Sequence, residues 1–469
     1  MLLRMKMILI ALTLVLPFLS PAQKQKKSDQ LLLDNLITHI HYLTDDKLEG
    51  RRTGSPGEKL ASDYISIEFS RAGLQPKGDH NGWLQAFDID EGRQINTDSY
   101  FFINDEPLIP NREFFPLSCS ATGSVSGSPA IALQERGVPW FIDLKEILEA
   151  GHSDPHFDLR ATIRIKIKES AVKGATAVIL YNTSKIKDNL RYDPKDRPAA
   201  LPIPVLYLTK EAKRRYLKDE SASLEIRLKT GFTEQRRTGH NVVGYQDNGA
   251  PNTVIIAAHY DHLGYGEDGN SRYRGPRQVF HGADDDASGV AAIIELSKML
   301  TASKLKNNNY LFVAFSGKEL DLSGSTYFVE HPGIDLSHVN YMLNLDRIGR
   351  LNDSSHALTL GGYGTSPVWE QVCSNAPGRK YFSLQYDSSG AGGDAGPSRG
   401  AGAGDHIPFY RKDIPVLSFF TGWHSDYHMP TDDADKINYT GEMQVEKYIY
   451  DIVQGMNDKG KIAFARTRE

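Results

Sequence analysis

The second half of the chain alternates between strand-length apolar runs and segments with helical periodicity. Apolar runs follow His240 at residues 241–245, 253–259, 310–316, 339–346 and 414–421. The segments between them, such as residues 287–300, repeat apolar side chains on one helical face. Strands that alternate with helices are typical of α/β folds with parallel sheets. We therefore predict a central, mostly parallel sheet flanked by helices.

The first half of the chain has a different pattern. Residues 31–87 place apolar side chains at helical spacing around a polar, glycine-containing break, which predicts two helices. Short β-prone runs between glycines and prolines then replace the helical pattern. We predict residues 23–95 as an N-terminal helical part of the main domain, 96–230 as a small β-rich insert, and 231–469 as the catalytic part of the main domain.

The N-terminus has the pattern of an export signal. Arg4 and Lys6 precede an apolar stretch at residues 7–19, and small residues follow up to Ala22. A membrane anchor is the alternative, but the stretch is shorter than the roughly 20 residues that a spanning helix needs, and polar residues follow at once. We expect residues 1–22 to be a cleaved signal peptide, the protein to be periplasmic or extracellular, and no stable membrane insertion after cleavage.

The composition restricts the partners of this protein. With 469 residues, 40% of them hydrophobic, and a net charge of -5, the chain can bury more than one core and carries no basic block for a nucleic acid. Its two cysteines, Cys119 and Cys373, fall in different predicted domains, so the sequence does not imply a disulfide. The pattern carries no sign of the oligomeric state.

Residues of the type that binds metals follow four of the predicted strands at their carboxyl ends. They are His259 and Asp261, Glu319, Asp346, and His428. Open α/β sheets bind ligands at that edge, because the loops that leave the strand ends converge there. Each residue alone has an ordinary explanation, such as a core position for His259. Their coincidence at four strand ends favours a metal site.

An acidic run lies at the start of a predicted helix. Asp284, Asp285 and Asp286 are adjacent in residues 282–289, and so much like charge needs a cation unless all three side chains are solvated. Imidazole and carboxylate groups both suit zinc, and a carboxylate can bridge two ions roughly 3.5–4 Å apart. Asp286 alone could instead cap the helix. Together with the strand ends, the run predicts a paired zinc site.

The sequence resembles the di-zinc aminopeptidases of metallopeptidase family 28, whose relatives include glutamate carboxypeptidases and, more distantly, glutaminyl cyclases. The resemblance spans almost the whole mature chain, and residues 96–230 look like the protease-associated domain that many members carry. It depends on five stretches: His259-Tyr260-Asp261-His262-Leu263-Gly264, residues 282–289, Phe315-Ser316-Gly317-Lys318-Glu319-Leu320, Asn344-Leu345-Asp346 and Asp426-Tyr427-His428-Met429-Pro430-Thr431-Asp432.

The resemblance implies two zinc ions (Zn²⁺) per chain and a role for each ligand. His259 and Asp346 would hold one ion, Glu319 and His428 the other, and Asp285 would bridge both. Asp261 would orient His259 without binding the metal itself. Asp286, Asp405 and His406 would likewise support the ligands. His424 is a rival of His428, but the family pattern places the ligand directly before a turn that contains Pro430 and Asp432.

The chain departs from the family at the general-base position. The residue before the glutamate ligand is normally a second glutamate, which accepts a proton from water, and here it is Lys318. General-base catalysis contributes typically about 10²–10⁴-fold, and an ammonium group cannot accept a proton. Asp321 stands where the family commonly has glycine, and Arg347 follows the ligand Asp346 where an apolar residue is common.

Three accounts of Lys318 follow from this departure. Another carboxylate, such as Asp321 or Asp284, could serve as the base of a slower peptidase. Two adjacent dications could instead lower the pKa of Lys318 until its neutral amine accepts a proton. In the third account the chain is a pseudo-peptidase that binds peptide ends without cutting them.

The resemblance implies a zinc-dependent exopeptidase, and an aminopeptidase that releases N-terminal residues from peptides is the leading reading. A carboxypeptidase would need cations for the substrate carboxylate, and Arg347, Lys318 and Arg399 could supply them. A cyclase is disfavoured, because that reaction is associated with a single zinc. The Gly-rich segment 388–404 is expected to be a surface loop beside the substrate pocket.

Overall fold

The computed structural model describes residues 27–196, 198–219, 221–387 and 404–466. The predicted signal peptide lies outside the described residues, and so do Arg399 and the predicted loop except for Gly404. No helix in the described ranges is long and apolar enough to cross a membrane. The chain divides into two compact units, of which one consists of Met1–Phe87 with Gly239–Glu469 and the other of Asp88–Thr238.

The described strands, in chain order, are β1 Gln75–Pro76, β2 Leu84–Ile95, β3 Tyr100–Ile103, β4 Glu106–Pro107, β5 Phe114–Pro116, β6 Gly123–Gly127, β7 Trp140–Asp143, β8 Val178–Tyr181, β9 Val205–Leu208, β10 Ile226–Thr230, β11 Phe232–Gln246, β12 Thr253–His259, β13 Asn309–Phe315, β14 Val339–Leu345, β15 Ala357–Gly361, β16 Ser383–Asp387 and β17 Val416–Phe420. The α-helices are α1 Lys27–Leu43, α2 Pro56–Arg71, α3 Lys145–Gly151, α4 Leu159–Lys173, α5 Lys210–Tyr216, α6 Gly289–Ala302, α7 Ser323–Glu330, α8 Val368–Asn375, α9 Ile407–Tyr410 and α10 Tyr439–Met456.

The larger unit is built on a mixed sheet with the order β1-β11-β13-β12-β14-β17-β15-β16, and β2 pairs with β11. Its centre, β13-β12-β14-β17, is parallel. The flanking pairs β11–β13 and β15–β17 are antiparallel. The predicted α/β sheet flanked by helices is confirmed, with a parallel centre and antiparallel pairs on either side of it.

The central strands are continuous apolar runs because side chains on both faces are covered. Every residue of β12, β13 and β14 is buried. Helix α6 packs against β12 with an almost fully buried surface, which explains its apolar sequence. The parallel register aligns His259 with Phe315 and Ala257 with Asn344, so the three strands end at the same edge.

The smaller unit contains two four-stranded sheets, β4-β3-β10-β6 and β5-β9-β8-β7, with helices α3, α4 and α5. Its bounds are residues 88 and 238, whereas the sequence pattern placed the insert at residues 96–230. The pairs β7–β8 and β8–β9 are parallel, so this unit is more mixed than a simple β-rich domain. Cys119 lies in this unit and Cys373 in the other, and both are free thiols.

One buried arginine joins the loops that surround the edge of the main sheet. Arg51 is fully buried, and burial lowers its pKa to about 10 although neighbouring carboxylates oppose that shift. Its guanidinium donates to the carbonyl oxygens of Tyr260 at 2.8 Å, His281 at 2.7 Å and Gly282 at 2.9 Å, and also to that of Leu43. These carbonyls belong to segments that are distant in sequence, so Arg51 fixes how the segments meet.

We expect the substitution Arg51→Met to lower the free energy of unfolding by about 3 kcal/mol or more, because several buried carbonyl oxygens lose their donor. Urea unfolding followed by circular dichroism measures the change. The matched control is Arg52→Met, which removes a partly exposed ion pair with Asp268 and should cost much less. Equal losses in the two variants would contradict the role of Arg51.

Candidate metal centre

The sheet edge brings together the five residues that the family resemblance implies as metal ligands. His259 ends β12, and Asp346 directly follows β14. Asp285 lies in the short π-helical segment Ala283–Ser288 before α6, and Glu319 and His428 lie in turns. Asp285 lies between the others, and its two carboxylate oxygens face different histidines. The site therefore has two halves that share this one carboxylate.

The first half, called the His259 half, is formed by His259, Asp285 and Asp346. The His259 Nε2 atom lies 3.1 Å from Asp285 Oδ1 and 3.9 Å from Asp346 Oδ1. All three residues are buried, and their ligand atoms lie within 4.8 Å of one another. The backbone carbonyl of Asp261 accepts from His259 Nδ1 at 3.0 Å, which leaves Nε2 to face the carboxylates.

The second half, called the His428 half, is formed by His428, Asp285 and Glu319. The His428 Nε2 atom lies 3.3 Å from Asp285 Oδ2 and 3.2 Å from Glu319 Oε2. His428 Nε2 and Asp285 Oδ2 are buried, and neither finds a hydrogen-bond partner among the described residues. A tetrahedral zinc site with bonds of about 2.0–2.1 Å has ligand–ligand edges of about 3.3 Å, so these separations fit a metal ion.

His262 belongs to the same group, although the sequence pattern gave it no role. Its ligand atom lies within 4.8 Å of those of Asp285 and Glu319. Burial lowers the pKa of His262 to about 3, so its imidazole is neutral, which is the form that binds metals. Neither ring nitrogen has a hydrogen-bond partner in the described part of the chain. The only sequence signal for this residue was its place in the run that contains His259.

Asp261 holds two of the chain segments that meet at the site. Its carboxylate accepts from the backbone N–H groups of Lys318 and Glu319, both at 3.1 Å, and from the hydroxyl of Thr53 at 3.1 Å. One carboxylate oxygen also lies 3.6 Å from His259 Nδ1. The carboxylate of Asp261 therefore lies beside His259 and also fixes the backbone that carries Glu319.

Asn270 makes a comparable connection in the His428 half. Its backbone carbonyl accepts from His428 Nδ1 at 2.9 Å, and its side-chain amide donates to the carbonyl of Glu319 at 3.0 Å. The first contact directs His428 Nε2 towards the carboxylates. Nothing in the sequence pattern singled out Asn270.

The carboxylate of Asp286 is directed towards backbone N–H groups. Its oxygens accept from the N–H groups of Arg347 at 2.9 Å, Gly289 at 3.1 Å and His259 at 3.2 Å. Burial and the neighbouring carboxylate of Asp346 raise its pKa well above the usual range. Asp286 thus contacts the backbone of both His259 and Arg347 from the supporting position predicted for it.

Asp405 and His406 are both buried in the same unit as the ligands. Burial raises the pKa of Asp405 to about 7, and the negative charges of Asp261 and Asp346 act in the same direction. The structure therefore places the Asp405 carboxyl within electrostatic reach of the ligand set.

His424, the rival of His428, pairs with a different carboxylate. Its Nε2 atom lies 3.0 Å from Asp284 Oδ2, while Asp284 Oδ1 accepts from the N–H of Gly349 at 2.7 Å. Both oxygens of Asp284 are therefore engaged. The second candidate base, Asp321, is exposed to solvent.

Lys318 lies inside the acidic cluster. Its Nζ atom is 2.9 Å from Glu319 Oε1 and 3.3 Å from Asp285 Oδ1, and its side chain is only 7% exposed. Burial alone would lower the pKa of Lys318, but the carboxylates of Asp285, Asp346 and Glu319 outweigh burial and raise it well above its usual value. The side chain is therefore an ammonium ion in this environment.

Arg347 provides a second buried cation beside the ligands. Its Nε atom donates to Asp346 Oδ1 at 2.9 Å. The guanidinium carbon lies 4.6 Å from the ring centre of Phe420, 4.4 Å from that of Trp423 and 4.9 Å from that of Tyr427. Such cation–π contacts hold the guanidinium in place. Its Nη1 atom finds no acceptor in the described ranges.

Part of this chain matches a known protein family. Residues 241–453, somewhat less than half of the chain, match the model of peptidase family M28. The matched residues include every ligand candidate from His259 to His428.

The similar proteins include several aminopeptidases. Aminopeptidase YwaD of Bacillus subtilis (strain 168) is 27% identical over 292 residues, which are 58% of this chain and 55% of that protein. The probable leucine aminopeptidase 2 of Aspergillus oryzae (strain ATCC 42149 / RIB 40) is 25% identical over 70% of this chain and 61% of that protein. The chain spans about half of the length of the curated relatives it matches.

One similar solved structure is that of BSAP, a zinc aminopeptidase from Bacillus subtilis. It is 20% identical to this chain, with a TM-score of 0.48, over 90% of this chain and 94% of that one.

We expect Asp261→Ala to lower the affinity of the metal centre for zinc by about 10–100-fold. Substitutions of residues that orient metal ligands have effects of that size. Competition with a chromophoric zinc chelator measures the affinity. Thr53→Val is the control, since it removes only one hydrogen bond to Asp261 and leaves the contacts with Lys318 and Glu319. An unchanged affinity in Asp261→Ala would contradict this role.

Proposed function

We propose that this protein is a zinc-dependent exopeptidase, and specifically an aminopeptidase that releases N-terminal residues from peptides. The proposed centre has two metal positions, the His259 half and the His428 half, which share Asp285. The observation that carries the proposal is the convergence of buried ligand atoms on Asp285, whose Oδ1 lies 3.1 Å from His259 Nε2 and whose Oδ2 lies 3.3 Å from His428 Nε2. The names of the similar aminopeptidases support the same conclusion.

In the proposed reaction the chain's own residues position the reacting groups. Bound zinc supplies Lewis-acid polarisation of the scissile carbonyl and makes water nucleophilic near neutral pH. The ammonium of Lys318 would stabilise negative charge on the carbonyl oxygen, because a fixed cation in a buried site interacts strongly with developing charge. Asp261 and Asn270 would keep Glu319 and His428 in place while the substrate binds.

Proton transfer is where the proposed enzyme differs from its family. The carboxylates around Lys318 keep it protonated before zinc binds, Asp284 is engaged by Gly349 and His424, and Asp321 is exposed. Two bound dications would act in the opposite direction on the pKa of Lys318, so a neutral amine is the other proton acceptor that this proposal allows. A dedicated carboxylate base next to Glu319 is therefore replaced by a cation. We propose a slow hydrolase for this reason, and the pseudo-peptidase is the alternative that the same substitution favours.

A carboxypeptidase is the second candidate function, and Arg347 is the observation that favours it. Its Nη1 atom lacks an acceptor among the residues that the structure describes, and the guanidinium lies beside the ligand Asp346. A guanidinium in that state suits a substrate carboxylate. We also propose that the protein is exported and that the insert predicted at residues 96–230 is a protease-associated domain.

We expect the zinc-loaded protein to cleave aminoacyl p-nitroanilides and dipeptides with a free amino group but not their N-acetylated forms. Glu319→Ala should lower kcat/KM by at least about 10²-fold, because a metal ligand is lost. Glu330→Gln is the control, since Glu330 is an exposed carboxylate at the end of α7. Cleavage of N-acetylated dipeptides alone would favour the carboxypeptidase, and no cleavage of any substrate would favour the pseudo-peptidase.

We expect Lys318→Glu to raise kcat by up to about 10²–10⁴-fold at saturating zinc, because it supplies the missing proton acceptor. The control is Lys318→Gln, which removes the positive charge without adding a base. A gain in the glutamate variant alone would assign the effect to proton transfer. A lower kcat in both variants would instead mean that the parent reaction depends on the ammonium of Lys318.

A further inference from the structure

The carboxylate oxygens of the two halves differ in their partners. In the His259 half, Asp285 Oδ1 lies 3.3 Å from Lys318 Nζ, and Asp346 Oδ1 accepts from Arg347 Nε at 2.9 Å. Both oxygens that face His259 Nε2 are therefore already paired with a side-chain cation. A metal ion that bound them would have to share them with Lys318 and Arg347.

The His428 half shares Lys318 with the other half but has no contact with Arg347. Lys318 Nζ lies 2.9 Å from Glu319 Oε1, while Glu319 Oε2 and Asp285 Oδ2 face His428 Nε2 at 3.2 Å and 3.3 Å. His262 adds an imidazole whose ligand atom is within 4.8 Å of those of Asp285 and Glu319, and neither of its ring nitrogens has a hydrogen-bond partner within the described ranges. This half therefore offers one more nitrogen ligand and meets one cation, whereas the His259 half meets two.

Neither cation can easily move away from the ligand atoms that it contacts. The side chains of Lys318 and Arg347 are each only 7% exposed. Three aromatic rings pack around the guanidinium of Arg347, and its backbone N–H donates to Asp286. A dication about 3–4 Å from a fixed monocation is strongly repelled unless water screens the pair. The charge of the two side chains together equals that of one Zn²⁺ ion.

We propose that the two metal positions are unequal: zinc fills the His428 half first and tightly, because His262 adds a ligand there, and Arg347, together with Lys318 at the shared carboxylate of Asp285, keeps the affinity of the His259 half lower. The two side chains supply the positive charge that a second tightly held ion would otherwise bring. This inference depends on the metal centre in the proposed function and does not depend on hydrolysis. Its consequence is a protein that holds one zinc ion per chain at low free zinc.

Competition with a chromophoric zinc chelator tests the inequality on the full-length, metal-free protein. We expect one tight equivalent of zinc per chain and a second that is weaker by at least about ten-fold, or 1.4 kcal/mol. Two equivalents of equal affinity would overturn this inference while leaving the two-position centre intact. The absence of any zinc binding would overturn the centre itself.

Zinc titrations of variants show which half of the site binds the tight equivalent and which half binds the weak one. His428→Ala should remove the tight equivalent, and His259→Ala should remove only the weak one. The double variant Lys318→Gln/Arg347→Gln should strengthen the weak equivalent by at least about ten-fold, whereas Lys318→Arg, which keeps the charge, should leave the inequality. Loss of the tight equivalent in His259→Ala but not in His428→Ala would overturn the proposal. Circular dichroism of each variant checks that the fold is retained.

A direct location of the ion needs no variant. Crystals of the parent protein prepared with one equivalent of zinc give anomalous scattering at the zinc edge. We expect a single peak beside His428 Nε2 and Asp285 Oδ2. A peak beside His259 Nε2, or two peaks of equal height, would refute the proposed order of filling.

Discussion

The confinement of negative charge at one edge of the sheet is the constraint on which the rest of this site depends. Asp261, Asp284, Asp285 and Asp286 are all fully buried. A carboxylate removed from water needs hydrogen bonds or a counter-charge. Backbone N–H groups and side-chain donors satisfy Asp261, Asp284 and Asp286. Asp285 instead faces two histidines and a lysine. The groups that neutralise the charge of its carboxylate therefore decide what the centre can bind.

The central sheet could be predicted because its strands obey a simple rule. A strand covered on both faces appears in the sequence as a continuous apolar run, and β12, β13 and β14 are such strands. The ligands His259 and Asp346 follow from these strand ends. The antiparallel pairs β11–β13 and β15–β17 could not be predicted, because the direction of pairing depends on long connections and not on residue type.

Residues that act through backbone contacts were the ones the sequence pattern missed. Asn270 holds His428 with its carbonyl oxygen, an atom that every residue possesses, so its type carries no signal. Arg51 lies in the polar, glycine-containing break between the two predicted helices, and it is fully buried. Its guanidinium binds carbonyl groups that meet only in the folded chain. His262 differs, since its residue type and its run were informative but gave it no separate role.

In the family pattern, one glutamate supplies both negative charge beside the metal ions and an acceptor for the proton of water. Lys318 and Arg347 change these two properties separately. A glutamate beside the metal ligands adds negative charge, which favours a second dication, and also offers a proton acceptor. Lys318 brings positive charge in place of negative charge and offers no carboxylate as proton acceptor. Arg347 adds a second positive charge beside Asp346. Lys318 and Arg347 thus supply positive charge for the oxyanion of the proposed reaction, but the carboxylate that would accept the proton from water is missing. The binding of peptide ends and the speed of their hydrolysis are therefore expected to vary independently in this protein.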